Sequence, residues 1–252
     1  MMDKPGSKKD RSKYTTLPVM EEKGFVVLKP YQGQMPDPTE WEPLEYVDWK
    51  SGGDTNFAIL ASANGDHDPR GFWEHGKPDK DGVWVQDNID KAPTVKKWVE
   101  TCGANFGRVR IIKLEPGTIE SAMKSMHPDD NNRITEEGTG WVVRAWLQLT
   151  DNPDSYMIVR DDKDDPSTES RIPLPKGAQF VVDSERLHHV VWHDDSKYSE
   201  PRYAVIASYE SGPELQSWID GQLPEPVKGS SAGGTPAPEG GRGPVHLHKG
   251  TL

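Results

Sequence analysis

Cysteine and long apolar runs are scarce in this sequence. Its 252 residues include a single cysteine, Cys102, which excludes an internal disulfide and a cysteine-based metal cage and is typical of a reducing compartment. No apolar run approaches the length of a membrane span, and the polar, basic start of the chain lacks the apolar core of a signal peptide. These absences predict a soluble, cytoplasmic protein without a membrane partner.

Positive charge is also in short supply. Thirty Lys and Arg residues stand against 41 Asp and Glu residues, giving a net charge of −11. An acidic protein of this kind is repelled by nucleic-acid phosphates and by anionic membrane surfaces. We therefore expect a small-molecule or peptide partner and no nucleic acid.

Apolar residues are too few at the two ends to support a packed structure. Residues 1–17 are polar and basic, and residues 223–252 are rich in Gly, Pro and Ser. Such segments bury too little apolar surface to offset the entropy of ordering the chain. The sequence predicts two disordered tails and one folded domain over residues 18–222.

The first half of that domain mixes element types. Short β-branched runs at 24–30 and 55–63 predict strands, and apolar spacing of i, i+3, i+4 over 92–103 predicts an amphipathic helix. Between them, residues 64–91 are rich in Asp, Gly and Trp. A segment of that length is usually functional when it is ordered, so we expect an ordered loop, with a lid as one possible role.

The second half consists of short strands separated by turn signals, with a charged loop after residue 161 and a closing helix near 211–220. The predicted strands are 107–115, 140–149, 155–161, 178–183, 188–193 and 202–209. Strands without intervening helices predict an antiparallel sandwich or barrel, of which the jelly roll is the common form. The expected fold is mainly β and cupin-like, with a core over about 107–210 and a few flanking helices.

A His-Pro-Asp motif suggests a metal site. His127 and Asp129 are two residues apart in extended backbone, so their side chains can converge, although the same motif is also an ordinary polar turn. A distant third ligand is available from His188, His189 or His193. Two imidazoles and one carboxylate form the ligand set of a mononuclear non-haem iron(II) site. Because neighbouring strand residues face opposite ways, only one of the first two histidines can contribute.

An arginine on the last predicted strand suggests a second binding element. Alternation places Arg202 on the same side as Ala204 and Ile206, which we expect to be the inner face, where an unpaired guanidinium is costly. A carboxylate of a diacid cosubstrate would match its planar fork. On the strand at 140–149, Arg144 and Trp146 also share a face, which either lines the pocket or is solvated.

The stretches VVDSERLHHVVWH (181–193) and PRYAVI (201–206) carry a family resemblance. With the preceding His-Pro-Asp motif, they resemble the aspartyl/asparaginyl β-hydroxylase group of iron(II)/2-oxoglutarate dioxygenases, over about 107–210. The resemblance implies a double-stranded β-helix fold. By position it also implies iron ligands at His127, Asp129 and His189 (alternatively His188), binding of the distal carboxylate of 2-oxoglutarate by Arg202, and contact of Arg144 with its other end or the substrate.

The resemblance further implies a reaction. Iron(II) and 2-oxoglutarate would support hydroxylation of an unactivated C–H bond, with succinate and CO2 as coproducts. The carboxylate of Asp129 favours hydroxylation, because halogenating relatives have a small residue at that position. Spare cations suit an amino acid or a peptidyl substrate, and the expected substrate-binding residues are Trp146, Arg133 and Arg160.

Two other classes of function fit the histidines. A metal-dependent cupin isomerase or lyase would use the metal as a Lewis acid, and a non-catalytic cupin-like binding module would use the histidines for packing. Neither needs Arg202 on the inner face. The sequence does not indicate the oligomeric state.

Overall fold

The computed structural model describes residues 9–48 and 55–225. Eleven strands occur within these ranges: β1 Phe25–Val27, β2 Val47–Asp48, β3 Thr55–Ser62, β4 Val83–Trp84, β5 Phe106–Leu114, β6 Val142–Gln148, β7 Asn152–Arg160, β8 Ser170–Leu174, β9 Gln179–Val182, β10 His188–Trp192 and β11 Arg202–Glu210. The α-helices there are α1 Pro38–Trp41, α2 Gln86–Ile89, α3 Pro93–Thr101, α4 Ile119–Lys124 and α5 Pro213–Asp220. Short 3-10 helices cover Arg11–Lys13, Pro18–Met20, Phe72–His75 and Pro166–Thr168.

The strands form two antiparallel sheets. The larger sheet has the order β1-β9-β6-β11-β5-β3-β2, with β4 also paired to β3, and the smaller one has the order β10-β7-β8. Apolar side chains of both sheets meet in one cluster, which contains Trp146, Phe180 and Ala204 from the larger sheet and Met157 and Val159 from the smaller. The mainly β prediction is therefore confirmed, and the space between the sheets is the interior of the fold.

Helices cover the outer face of the larger sheet. Val95, Trp98 and Val99 of α3 are buried against it, as their i, i+3, i+4 spacing predicts. The helix is followed by Gly103 at φ 73°, a left-handed conformation that glycine adopts without strain. No helix in the described ranges is long and apolar enough to cross a membrane.

Two elements of the smaller sheet differ from the sequence prediction. Helix α4 packs on the outer face of β10 and β7 through Ile119, Ala122 and Met123. The helix has only six residues, which are too few to show a helical repeat of apolar positions in the sequence. Strand β8 lies in the predicted charged loop and includes Pro173. Because β8 is an edge strand, the missing N–H of this proline is tolerated.

The predicted N-terminal tail is too long. Tyr14 and Leu17 are buried in the core, Thr15 pairs with Gly140, and Arg11 forms an ion pair with Asp183 at 2.8 Å. Residues 1–17 are polar on average, but Tyr14 and Leu17 are apolar enough to pack against the core of the domain. Residues 1–8 lie outside the described residues, and so do residues 226–252, which make up most of the predicted C-terminal tail.

Candidate metal centre

Backbone pairing brings His127 and His189 face to face. The His127 amide donates to the His189 carbonyl at 3.2 Å, and the His189 amide donates back at 2.9 Å. Two residues later, the Asp129 amide donates to Ser184 O at 2.7 Å. The segment from His127 to Asp129 therefore continues the smaller sheet beyond β10, so its alternate side chains point to the same side.

Three side chains converge there. The candidate ligand atoms of His127, Asp129 and His189 all lie within 4.8 Å of one another. Asp129 Oδ1 is 3.9 Å from His127 Nε2, and Oδ2 is 3.9 Å from His189 Nε2. A metal held at about 2.0–2.2 Å from each atom would need only small side-chain rotations. The donor set therefore fits one divalent ion.

Hydrogen bonds at the outer ring nitrogens orient both imidazoles. His127 Nδ1 lies 2.7 Å from Ser125 O, and His189 Nδ1 lies 3.4 Å from Leu187 O. A carbonyl oxygen can only accept, so each Nδ1 is the protonated nitrogen and each Nε2 lone pair is left for a metal. Burial also lowers the pKa of His189, which favours the neutral ring that a metal requires.

Arg144 holds Asp129 in its charged form. Its Nε lies 2.7 Å from Asp129 Oδ2, while its Nη2 donates to Asn131 Oδ1 at 2.6 Å. Burial by itself would raise the pKa of Asp129, but Arg144, His189, a hydrogen bond with Ser184 and His127 together hold it well below its usual range. The carboxylate is therefore held in its anionic form, which is the form that binding of a metal ion requires.

The loop after Asp129 is anchored to β6. Asn132 Nδ2 donates to Val142 O at 3.1 Å, and the Val142 amide donates to Asn132 Oδ1 at 2.8 Å. Glu185 Oε2 accepts from the Asn132 amide at 2.8 Å. These bonds connect the segment that carries Asp129 to β6 and to the turn between β9 and β10.

The other two candidate histidines lie elsewhere. His188 pairs in register with Arg160, whereas His189 pairs with Val159 of the interior cluster, so the two histidines point to opposite faces. His193 is buried: its Nδ1 accepts from Ser155 Oγ and its Nε2 donates to Glu200 O, both at 2.8 Å. The structure brings neither His188 nor His193 to the triad.

Arg202 is buried on the inner face with its hydrogen bonds only partly satisfied. It has 0% exposure, and Nη1 donates to Gln148 Oε1 at 3.0 Å. Nε and Nη2 have no hydrogen-bond partner among the described residues. Burial lowers the pKa of Arg202 to about 9. A buried cation with two unused donors is suited to a planar anion.

Trp146 lies beside this arginine. Its ring centroid is 5.0 Å from the Arg202 guanidinium carbon, and it stacks on Phe180 at 5.4 Å. Its Nε1 is 3.4 Å from Gln148 Oε1. The face shared by Arg144, Trp146 and Gln148 is therefore an interior one. On that face Trp146 lies against the guanidinium group of Arg202 and against Gln148, which accepts from Arg202.

The two remaining predicted arginines are placed differently. Arg133 lies 3.8 Å from the centroid of the Trp73 ring and 3.7 Å from Asp130 Oδ2. It is an exposed residue of the loop between Asp129 and β6, which is called the metal loop below. Arg160 pairs with Glu169, its Nη2 2.7 Å from Oε2, on the face of β7 that His188 shares. The structure does not bring Arg160 to the triad, because Arg160 lies on the same face of β7 as Ile158, opposite the interior face of Met157 and Val159.

Two interior arginines were missed by the sequence analysis. Arg108 and Arg110 alternate along β5 with Val109 and Ile111, which are buried in the core of the outer face. That alternation was visible in GRVRIIKLE and assigns both guanidinium groups to the inner face. The sequence prediction for this run specifies a strand and does not assign its faces.

The segment 64–91 is ordered and closes over these arginines. Pro69 O accepts from Arg110 Nη2 at 2.9 Å, Phe72 is buried near Arg108, and Trp73 stacks on Arg133. Farther along, β4 pairs with β3. The first part of the segment therefore connects the inner face of β5 with the metal loop.

Comparison with solved structures identifies the architecture. An oxidoreductase of the 2OG-Fe(II) oxygenase family from Burkholderia pseudomallei superimposes with a TM-score of 0.50 at 14% identity, over 78% of this chain and 90% of that chain. This chain is a double-stranded β-helix. The fold implied by the sequence resemblance is thereby confirmed.

Two other structures match more loosely. The α-ketoglutarate-dependent epimerase SnoN of nogalamycin biosynthesis has a TM-score of 0.42 at 16% identity, over 88% of this chain and 92% of that chain. A Pseudomonas putida prolyl-4-hydroxylase has a TM-score of 0.41 at 11% identity, over 77% and 95%. No protein-family profile and no curated protein matches the sequence. At these identities the likeness extends to the fold alone.

Proposed function

We propose that this protein is an iron(II)/2-oxoglutarate-dependent dioxygenase that hydroxylates an amino acid or an amino-acid-derived or peptidyl substrate. The observation that carries the proposal is the combination of a His127, Asp129, His189 donor cluster with a buried, incompletely paired Arg202 inside the same double-stranded β-helix. A metal cupin needs the first feature only. A diacid cosubstrate accounts for both features, because one end binds beside the metal and the other end supplies an acceptor for Arg202.

Each residue has a defined part in this proposal. Iron(II), when bound, supplies the oxidising chemistry with oxygen and 2-oxoglutarate, and succinate and CO2 are the coproducts. His127 and His189 offer Nε2, and Asp129 offers a carboxylate whose charge is maintained by Arg144. Arg202 takes the distal carboxylate of 2-oxoglutarate through Nε and Nη2.

Two residues take other roles in this proposal than the sequence resemblance implies. Arg144 is assigned to Asp129 instead of the cosubstrate, because its Nε forms an ion pair with Asp129 Oδ2 and its Nη2 donates to Asn131 Oδ1. Trp146 is assigned to the cosubstrate end, because it stands over Arg202. Arg133 remains a candidate at the edge of the site through its contact with Trp73.

Kinship with the aspartyl/asparaginyl β-hydroxylases is the finer part of the proposal. It is supported by the LHHVVWH and PRYAVI stretches, which supply His189 and Arg202. It predicts that the preferred substrates contain an unactivated carbon next to an amino-acid backbone.

The test is 2-oxoglutarate turnover. Protein supplied with iron(II), ascorbate and 2-oxoglutarate is expected to form succinate, and a screen of amino acids and short peptides is expected to identify one that raises the rate. An isomerase or lyase would convert a substrate without forming succinate. A binding module would neither retain iron(II) in anaerobic metal analysis nor form succinate.

A further inference from the structure

The inner face of β5 presents two arginines next to the candidate metal centre. Arg110 stands opposite Ile206 of β11, and Ile206 stands opposite Trp146 of β6. Directly opposed residues in an antiparallel pair share a face, so Arg110 belongs to the same interior layer as Trp146. Arg108 is two residues away and shares that face.

Arg108 is a partly buried cation, with its side chain 12% exposed, and its counter-ion is loosely held. Its Nη2 is 3.7 Å from Asp79 Oδ2, too far for a hydrogen bond, and its Nε has no hydrogen-bond partner among the described residues. Asp79 is already engaged, since Oδ1 accepts from the Arg108 amide at 2.7 Å and Oδ2 accepts from Ser208 Oγ at 3.1 Å. The Arg108 side chain is therefore able to take a further acceptor.

Arg110 is buried more deeply and contacts the covering segment. It is 6% exposed, lies 3.9 Å from the centroid of the Phe57 ring, and donates from Nη2 to Pro69 O at 2.9 Å. Burial lowers the pKa of Arg110 well below its usual range, and Arg108 and Arg144 lower it further. Three guanidinium groups thus act on one another in a poorly hydrated interior.

The pair lies within electrostatic reach of the metal ligands. Ser208 of β11 stands opposite Arg144 of β6 and donates to Asp79 Oδ2, the counter-ion of Arg108, and Arg144 in turn contacts Asp129. The arginine pair and Asp129 therefore belong to one region. Asp129 already contacts Arg144, and a dication bound to it would add positive charge to that region. A region of this charge favours an anionic ligand.

This region is separate from the Arg202 end of the interior. Arg202 stands opposite Leu114, four residues beyond Arg110 on β5. At a rise of about 3.3 Å per residue, the two positions are about 13 Å apart along the strand. The interior therefore has a cationic position at each end, and a cosubstrate carboxylate at Arg202 does not reach the position of Arg108 and Arg110.

We propose that Arg108 and Arg110 bind an anionic oxygen group of the substrate, beside the metal centre and at the opposite end of the interior from Arg202. This inference rests on the proposed function and narrows its substrate class to carboxylates and other oxyanions. The anion replaces Pro69 O as the acceptor for Arg110, because a charged oxygen is the stronger acceptor. Binding of the anion therefore removes a hydrogen bond between β5 and the segment that contains Pro69, Phe72 and Trp73.

The experiment uses acetate as a minimal anion. Full-length protein loaded with Zn(II) and saturated with 2-oxoglutarate, which occupies Arg202, is titrated with acetate, and binding is followed from the line width of the acetate methyl NMR signal. We expect Arg108→Gln and Arg110→Gln each to weaken acetate binding by at least about tenfold. Arg108→Lys should retain part of it, because an ammonium keeps the charge without the planar fork.

The controls separate a local effect from misfolding. Arg171→Gln removes an exposed arginine on β8 and should leave acetate binding unchanged. Unchanged 2-oxoglutarate affinity in the Arg108 and Arg110 variants shows that they are folded. Competition by sulfate distinguishes a general oxyanion site from one restricted to carboxylates, and both results agree with the proposal.

Three outcomes would overturn the inference: no acetate binding by the wild type, equal binding by the arginine variants, or loss of 2-oxoglutarate affinity on replacing Arg110, which would assign the pair to the cosubstrate. Failure of the wild type to bind 2-oxoglutarate contradicts the proposed function instead. If the wild type does not bind 2-oxoglutarate, the acetate titration is repeated without 2-oxoglutarate in the Arg202→Ala variant. Acetate that binds this variant cannot be at Arg202, so the titration still tests binding at Arg108 and Arg110.

Discussion

At the scale of single residues, the two neighbouring histidines of β10 provide an internal control. His189 faces His127 and Asp129, and His188 faces the other side of the sheet with Arg160. We expect His189→Ala to weaken Ni(II) binding by well over tenfold, since even the loss of a group that supports a metal ligand typically costs 10–100-fold. His188→Ala should bind as the wild type does. Calorimetric titration measures both, and the reverse pattern would refute the triad.

Arg202 separates an oxoglutarate enzyme from other metal cupins. Its replacement by Ala should leave metal binding intact and strand the distal carboxylate of 2-oxoglutarate in a buried site, at a cost of roughly 2–5 kcal/mol. The affinity for 2-oxoglutarate should then fall by well over tenfold, and Arg202→Lys should recover only part of it. Titration of 2-oxoglutarate into metal-loaded variants tests this. Unchanged affinity would mean that Arg202 has a structural role only.

At the scale of elements, α3 supports the sheet that carries Arg202. Trp98 is 1% exposed, packs on the outer face, and donates from Nε1 to Gln179 Oε1 at 2.8 Å. Trp98→Ala should lower the free energy of unfolding by about 3–5 kcal/mol, because it leaves a large cavity and an unpaired amide oxygen. Lys97→Ala, on the exposed side of the same helix, should change it by less than about 0.5 kcal/mol. Urea denaturation of both variants is the measurement. Similar losses in the two would contradict the packing described here.

Elements with clear periodicity could be predicted from the sequence, and the shorter ones could not. The strands at 107–115 and 202–209 and the helix at 92–103 are found as β5, β11 and α3. Helix α4 and strand β8 were missed because six and five residues offer too few repeats of either period. Their structure depends on packing against β7, which is a tertiary contact.

At the scale of the whole molecule, the metal should stabilise the fold. The candidate ligands come from the segment after α4 and from β10, which meet only in the folded chain, so an ion that binds them binds the native state. At a free metal concentration of 100 times Kd, the gain is about 2.7 kcal/mol, equivalent to a rise in Tm of roughly 5–10 °C. Differential scanning calorimetry with and without Ni(II) measures it. The rise should disappear in His189→Ala, and an equal rise in that variant would mean that the metal binds elsewhere.

The sequence by itself determined the features that depend on neighbouring residues. Short runs bounded by turn signals predicted the strands at 107–115 and 202–209, alternation placed Arg202 on the inner face, and the spacing of His127 and Asp129 allowed their convergence. These are consequences of backbone periodicity, which needs no knowledge of distant contacts. The tertiary structure decided everything that depends on register: the choice of His189 over His188, the outward direction of Arg160, the contact of Arg144 with Asp129, and the meeting of Arg108 and Arg110 with the metal loop. A shift of one residue in strand pairing exchanges the two faces of a strand, and pairing is set by contacts across the whole fold.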